Sequence, residues 1–189
     1  KTGCETSFLP FWSSETGPCD GVGPVVNTTQ STSYFTIQAA IDSASNGNIV
    51  LVDTGTYQEN INFKGKAITV ASHFFVDGDT SHISNTIIDG SNPSHPDSGS
   101  TVYFVSGEDT NSVLCGFTIT GGTGTVFNLT DQILSKKISD KSGSRRSGKT
   151  EKLVLYRVGG GIWCTNAMGA KIINNKITGN QTEGDNAGA

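Results

Sequence analysis

Apolar residues along this chain come in short runs, broken by glycine, asparagine, aspartate and serine. "NIVLVDTGTYQENINFKGKAITVAS", "SVLCGFTITGG" and "KIINNKITGN" are examples. Short β-branched runs between small polar residues predict strands and turns. One segment has a different period. In "TIQAAIDSASNG", residues 36 to 47, Ile37, Ala40, Ile41 and Ala44 fall at i, i+3, i+4 and i+7, which is one face of a helix. Thr36 is the expected N-cap and Asn46-Gly47 the expected stop. No other segment has a convincing helical period.

The strand runs also repeat. With an offset of 58 residues, Leu114 falls on Ile172, Ile119 on Ile177, Gly121 on Gly179 and Phe104 on Ile162. A degenerate unit of roughly 20–30 residues is the signature of a solenoid, in which each unit buries its apolar face against the next. The helix at 36–47 is then the expected cap of the first unit, the alternative being a generic surface helix. Asn174 and Asn175 sit inside an apolar stretch, where an amide without partners is costly. Stacking would let an inward asparagine bond its own turn and the neighbouring one; an exposed turn is the other reading.

Composition supports a chain that turns often. With 24 Gly and only 16% charged residues among 189, a single domain of short elements is expected. No run reaches the length of a membrane-spanning helix, and no signal peptide is visible at the "KTGCE" start, which reads as a mature or trimmed end. After Asn180 the chain reads "QTEGDNAGA", with no capping element, so an uncapped final unit and self-association through its edge are expected.

The segments "TIQAAIDSASNGNIVLVDTGTYQENINFKGKAITVAS", "TIIDGS", "SVLCGFTITGGTGT" and "GGGIWC…KIINNKITGN" resemble the secreted bacterial right-handed parallel β-helix proteins, the pectin-lyase-like group. The resemblance covers about residues 36 to 189. It implies an all-β fold, a right-handed parallel β-helix solenoid with one N-terminal capping α-helix, and an extracellular or cell-surface location. The domain plan is an extension over 1–35, a β-helix over 36–189 with a basic loop insertion at about 126–158, and truncation at the C-terminus. The group includes lyases, glycosidases, epimerases and adhesins, so the fold does not choose the activity.

Candidate chemistry is sparse. Cys4 and Cys19 enclose a coreless loop and are the expected disulfide, whereas Cys115 and Cys164, the latter aligned with Ser106, read as free thiols. A lyase of the resembled group needs a cation, often calcium, and a basic residue. Asp77-Gly78-Asp79 is the metal candidate, with turn residues as the plain alternative. No acidic residue recurs at one register, as paired glycosidase carboxylates would. His73, His82 and His95 are scattered and lack ligand spacing. Trp163, beside Ile162, is expected to face outward, as a sugar platform or beneath an adjoining loop. Residues 136–157 carry eight Lys or Arg against Asp140 and Glu151, net +6; the whole chain is −4, so the remainder is −10. Arg145, Arg146 and Lys149 are therefore candidates for steering an anionic polymer, the alternative being a solvated loop. No aromatic interleaving accompanies the charge, which argues against nucleic acid. Three Asn-x-Thr sequons, at Asn27, Asn128 and Asn180, are expected by chance in such a chain.

The expectation is a secreted or surface module that binds extracellular polysaccharide without evident catalysis. A polysaccharide lyase or glycosidase on an acidic glycan, and a self-assembling structural module, are the alternatives.

Overall fold

The computed structural model describes residues 22–128 and 155–182. The chain opens with an antiparallel hairpin, β1 (Val25–Asn27) and β2 (Thr32–Tyr34), followed by helix α1 (Ile37–Ser43). Strands β3 (Ile49–Val52), β4 (Gly55–Tyr57), β5 (Ile61–Asn62) and β6 (Thr69–Ser72) come next. Two short helices, α2 (Phe74–Asp77) and α3 (Ser81–Asn85), lead into β7 (Thr86–Asp89), β8 (Ser98–Gly99) and β9 (Val102–Phe104). The remaining strands are β10 (Val113–Cys115), β11 (Thr118–Thr120), β12 (Gly124–Asn128), β13 (Leu155–Val158), β14 (Ile162–Cys164), β15 (Lys171–Ile173) and β16 (Lys176–Ile177).

These strands form four separate sheets, which corrects the expected all-β right-handed parallel β-helix with a single helix. The largest sheet runs β15-β10-β6-β3-β1-β2 and is mixed, because β1 pairs antiparallel with both β2 and β3. The sheet β13-β12-β8 is antiparallel throughout. Only β16-β11-β7-β4 and β14-β9-β5 are wholly parallel. Three helices are present among the described residues, not one. Only segments that share a spacing carry the repeat. Residues 25–34, 98–99, 124–128 and 155–158 lie outside that spacing, and there the chain pairs antiparallel.

Three rows of residues meet in one core. Val50, Val70, Leu114 and Ile172 are successive partners in the first sheet. Tyr57, Ile88, Ile119 and Ile177 form the second row, and Ile61, Val102 and Ile162 the third. On β3, alternation sends one face inward and buries Val50 and Val52. Phe63 and Phe104 stack in the interior with ring centroids 4.4 Å apart. Burial fades along each row: Ile119 is fully buried, while its partner Ile177 is 54% exposed. The 58-residue offset matches the pairs Leu114–Ile172 and Ile119–Ile177. It fails at β14, where Ile162 pairs with Val102 and Cys164 with Phe104, so the offset there is 60.

Helix α1 covers one side of this core with Ile37, Ala40 and Ile41. Its N-terminus is doubly satisfied. Thr36 Oγ1 accepts from Ala39 N at 3.2 Å, and the Glu59 carboxylate accepts from Ile37 N and Gln38 N at 2.9 Å each. The helix ends at Ala44, whose backbone is extended at ψ 148°, before the expected Asn46-Gly47 stop; Asn46 lies beyond it, its Oδ1 accepting from Ala67 N.

The asparagines take the stacking role. Asn175 donates to Leu114 O and Ile173 O and accepts from Phe117 N, at 2.9, 3.0 and 2.9 Å. Asn180 does the same five residues on, with Ile119 O, Thr178 O and Gly122 N. Each amide bonds both its own turn and the neighbouring strand, so its burial carries no unpaired polar group. Asn174 instead occupies the left-handed turn position, at φ 56°, a conformation asparagine tolerates better than most residues.

Candidate functional site

The turns entering four aligned strands create a groove. Ile49, Thr69, Val113 and Lys171 open β3, β6, β10 and β15 and are successive register partners. Backbone bonds tie the turns together just before these residues: Thr69 N to Asn48 O at 3.0 Å, Val113 N to Ile68 O at 2.9 Å, and Lys171 N to Ser112 O at 2.8 Å. Three inter-strand steps carry the row about 14 Å along the surface. The resulting cavity of about 520 Å³ is lined chiefly by Asn46, Asn48, Thr69, Thr110, Asn111 and Lys171.

Local chemistry holds these turns open. Gly47 adopts φ 85° with no atom near where a Cβ would stand, and its N–H donates to Ala67 O at 2.8 Å. Asn48 Oδ1 accepts from Ser45 N and from Asn27 Nδ2, each at 3.0 Å. On the far bank, Asp109 Oδ1 accepts from Asn111 N at 2.8 Å, and Ser112 Oγ donates to Lys66 O at 2.9 Å. These bonds use backbone atoms and structural side chains. Within the described residues, the Asn111 amide, the Thr69 and Thr110 hydroxyls and the Lys171 ammonium have no hydrogen-bond partner. The groove therefore offers donors and acceptors at both banks, one cation, and no lining carboxylate.

Trp163, Asp77 and Asp79, singled out in the sequence, lie elsewhere. Trp163 is half-buried. Its ring meets Tyr103 edge-on at 6.0 Å and Phe127 at 6.4 Å, so it packs between β9 and the β12–β13 hairpin. Tyr103 Oη in turn bonds Thr125 and Ser100 at 2.9 and 3.1 Å, which anchors that hairpin to the body. Asp77 and Asp79 close the turn between α2 and α3. Asp77 Oδ1 accepts from Asp79 N and Asp79 Oδ1 from Ser81 N, both at 2.8 Å. The Asp79 N–H holds the Asp77 carboxyl below the usual carboxylate range, slight burial opposes this, and His82 adds to it. The Ser81 N–H does the same for Asp79. Among the described residues, no group of three or more His, Cys, Asp or Glu converges as a metal-ligand set. Arg145, Arg146 and Lys149, and the Cys4–Cys19 pair, lie outside the described residues.

Cys115 is buried and Cys164 exposed, and both are free thiols. Burial pushes the Cys115 thiol up, opposed by an Asn174 bond; the Cys164 thiol is also pushed up, by partial enclosure of its sulfur although the residue as a whole is exposed, and the Glu108 charge reinforces this. Two sequons are occupied by structure. Asn27 is fully buried and bonds Asn48 and Gln30 through Nδ2, while the Asn180 Nδ2 bonds Ile119 O and Thr178 O. Neither amide nitrogen is free for a glycan in the folded chain. The groove has no local mark in the sequence because its polar residues lie in four turns spread from Asn46 to Lys171. Only parallel pairing brings them into one line.

No family model matches the chain, and comparisons with curated proteins and with solved structures find no match. Among the described residues no helix is long and apolar enough to cross a membrane.

Proposed function

We propose that this protein is an extracellular carbohydrate-binding module that holds a polysaccharide strand along the Asn46–Lys171 groove. The groove lining carries the reading. Amides and hydroxyls from successive strands suit the repeating hydroxyls of a sugar chain, since fixed polar groups on a rigid scaffold recognise such ligands at low ordering cost. Lys171 at one end favours a carboxylate- or sulfate-bearing unit. Cleavage by paired carboxylates would need two acids beside the bond, and the lining supplies none. Binding without catalysis is therefore preferred to a paired-carboxylate glycosidase at this groove. The extracellular location belongs to the same proposal and rests on the Cys4/Cys19 pair; mass spectrometry after alkylation without reductant reads its oxidation state.

Affinity electrophoresis through gels containing neutral or uronate-rich polysaccharides tests the proposal. Retardation by at least one uronate polymer, lost in Asn111→Ala/Lys171→Ala, is the expected result. Equal mobility of both proteins in every gel removes the groove as the site.

A second reading, self-association, rests on a different observation. β14, β15 and β16 are the outer strands of three sheets, and Ile173 and Ile177 on them are exposed. Such edges offer backbone groups to another strand. Lys171 and Lys176 on the same strands oppose this, because edge lysines disfavour pairing.

A further inference from the structure

We propose that His73 and His82 form a two-histidine site for a divalent transition metal of the zinc class, with Asp53 and Asp77 orienting the rings. The fold brings these four residues together from separate turns. Asp53 directly follows β3 and His73 directly follows β6; Val52 and Ser72 are register partners, so the next residues along, Asp53 and His73, stand side by side. His73 then starts α2. Gly78, in the left-handed conformation at φ 73°, turns the chain back into α3, which carries His82.

Each imidazole is held by a carboxylate through the same nitrogen. His73 Nε2 lies 2.7 Å from Asp53 Oδ1, and His82 Nε2 lies 3.0 Å from Asp77 Oδ2. A carboxylate accepts, so in the neutral ring Nε2 carries the proton and Nδ1 keeps its lone pair. A carboxylate on the far nitrogen is the usual outer partner of a metal-bound histidine, fixing tautomer and orientation. The second observation is His82 Nδ1, which is buried and has no hydrogen-bond partner. An orphaned lone pair of this kind is costly, and coordination would satisfy it. The spacing also fits. The two ring centroids are 5.6 Å apart and the planes are inclined by 41°. A metal–nitrogen bond of about 2.0–2.1 Å and a tetrahedral angle place two such centroids about 5.3 Å apart. The imidazoles are borderline ligands suited to zinc, copper or nickel rather than calcium. Two protein ligands leave the other positions to water on the side of His73, whose side chain is 35% exposed; no third His, Cys, Asp or Glu joins them among the described residues. The sequence hid the pair because the histidines are nine residues apart, and neither the i, i+4 helical spacing nor a strand alternation relates them.

Zinc chloride, titrated into the chelator-stripped full chain against a chromophoric competitor, tests the site, with long-range proton–nitrogen spectra recording the imidazole nitrogens. The expected result is a zinc equivalent that moves the Nδ1 resonances of His73 and His82 and leaves His95 unmoved. His73→Ala and His82→Gln should each abolish that equivalent, and Asp53→Asn should weaken it about 10-fold. Zinc that leaves both imidazoles unmoved in the unaltered protein overturns the proposal. So does undiminished binding in a His73→Ala/His82→Gln variant, which would place the metal on other groups such as Cys4 and Cys19. The spectra of the unaltered chain decide the matter even if a variant fails to fold.

Discussion

The contrast between Ile119 and Ile177 shows how position within a row sets the energetic weight of a residue. Both are isoleucines at the same register, yet one is fully buried and the other more than half exposed. Ile119→Asp places an unpaired charge in the core and should abolish cooperative folding. Ile177→Asp should cost about 1 kcal/mol or less, as surface changes usually do. Thermal melts of the two variants check the difference; equal losses would mean that Ile177 is covered in solution. Tyr57 gives a pH prediction. Burial, followed by the charges of Asp53 and Glu59, pushes its phenol up to about 12. A raised folded-state value means that its contribution to stability is present below the ordinary phenol range near 10 and is lost as pH rises toward 12. Tyr57→Phe should flatten the alkaline limb of the stability curve between pH 10 and 12. It should also cost about 1 kcal/mol at neutral pH, through the lost bond to Asp53 O.

At the scale of elements, α1 is too short to stand alone, since isolated helices below about 12 residues are marginal. It persists because its apolar face is buried and its N-terminus is capped twice. Thr36→Ala should cost about 1 kcal/mol. Glu59→Ala should cost a similar or larger amount, since two backbone N–H groups lose a charged acceptor. Denaturant titration measures both, and no loss in either variant would mean that packing alone holds the helix. The helix was legible in advance because its period, its cap residue and the glycine beyond its end agree. Helices α2 and α3 were not legible. Each is about one turn long, and their segment, "FFVDGDTSHISN", has no apolar stripe. What holds them is the chain of turn bonds from Asp79 N and Ser81 N, together with the two histidine–aspartate contacts.

For the whole molecule, association turns on the far edge of β14, β15 and β16. If these strands associate with another chain, light scattering across a concentration series should show a rising mean mass, and Ile173→Lys/Ile177→Lys should suppress it. A constant monomer mass at all concentrations would exclude that association. The groove and the histidine pair lie on different parts of the body, so loss of glycan binding in Asn111→Ala/Lys171→Ala should leave the zinc response of the imidazoles intact.

The sequence by itself determined the strand-and-turn character of the chain, the helix at its N-terminal side, two rows of stacked residues and the structural use of Asn175. All of these depend on local spacing or on side chains that recur at one register. Tertiary structure alone decided the sheet architecture. Whether a short apolar strand pairs parallel or antiparallel depends on which edge reaches it, and β1 and β12 carry no local mark of their antiparallel partners. It also decided the sites. For Trp163 the sequence left an exposed platform and packing beneath an adjoining segment both open, and the edge contact with Phe127 favours the second. The groove exists only because four turns align across parallel strands, and His73 meets His82 only because Gly78 reverses the chain between them.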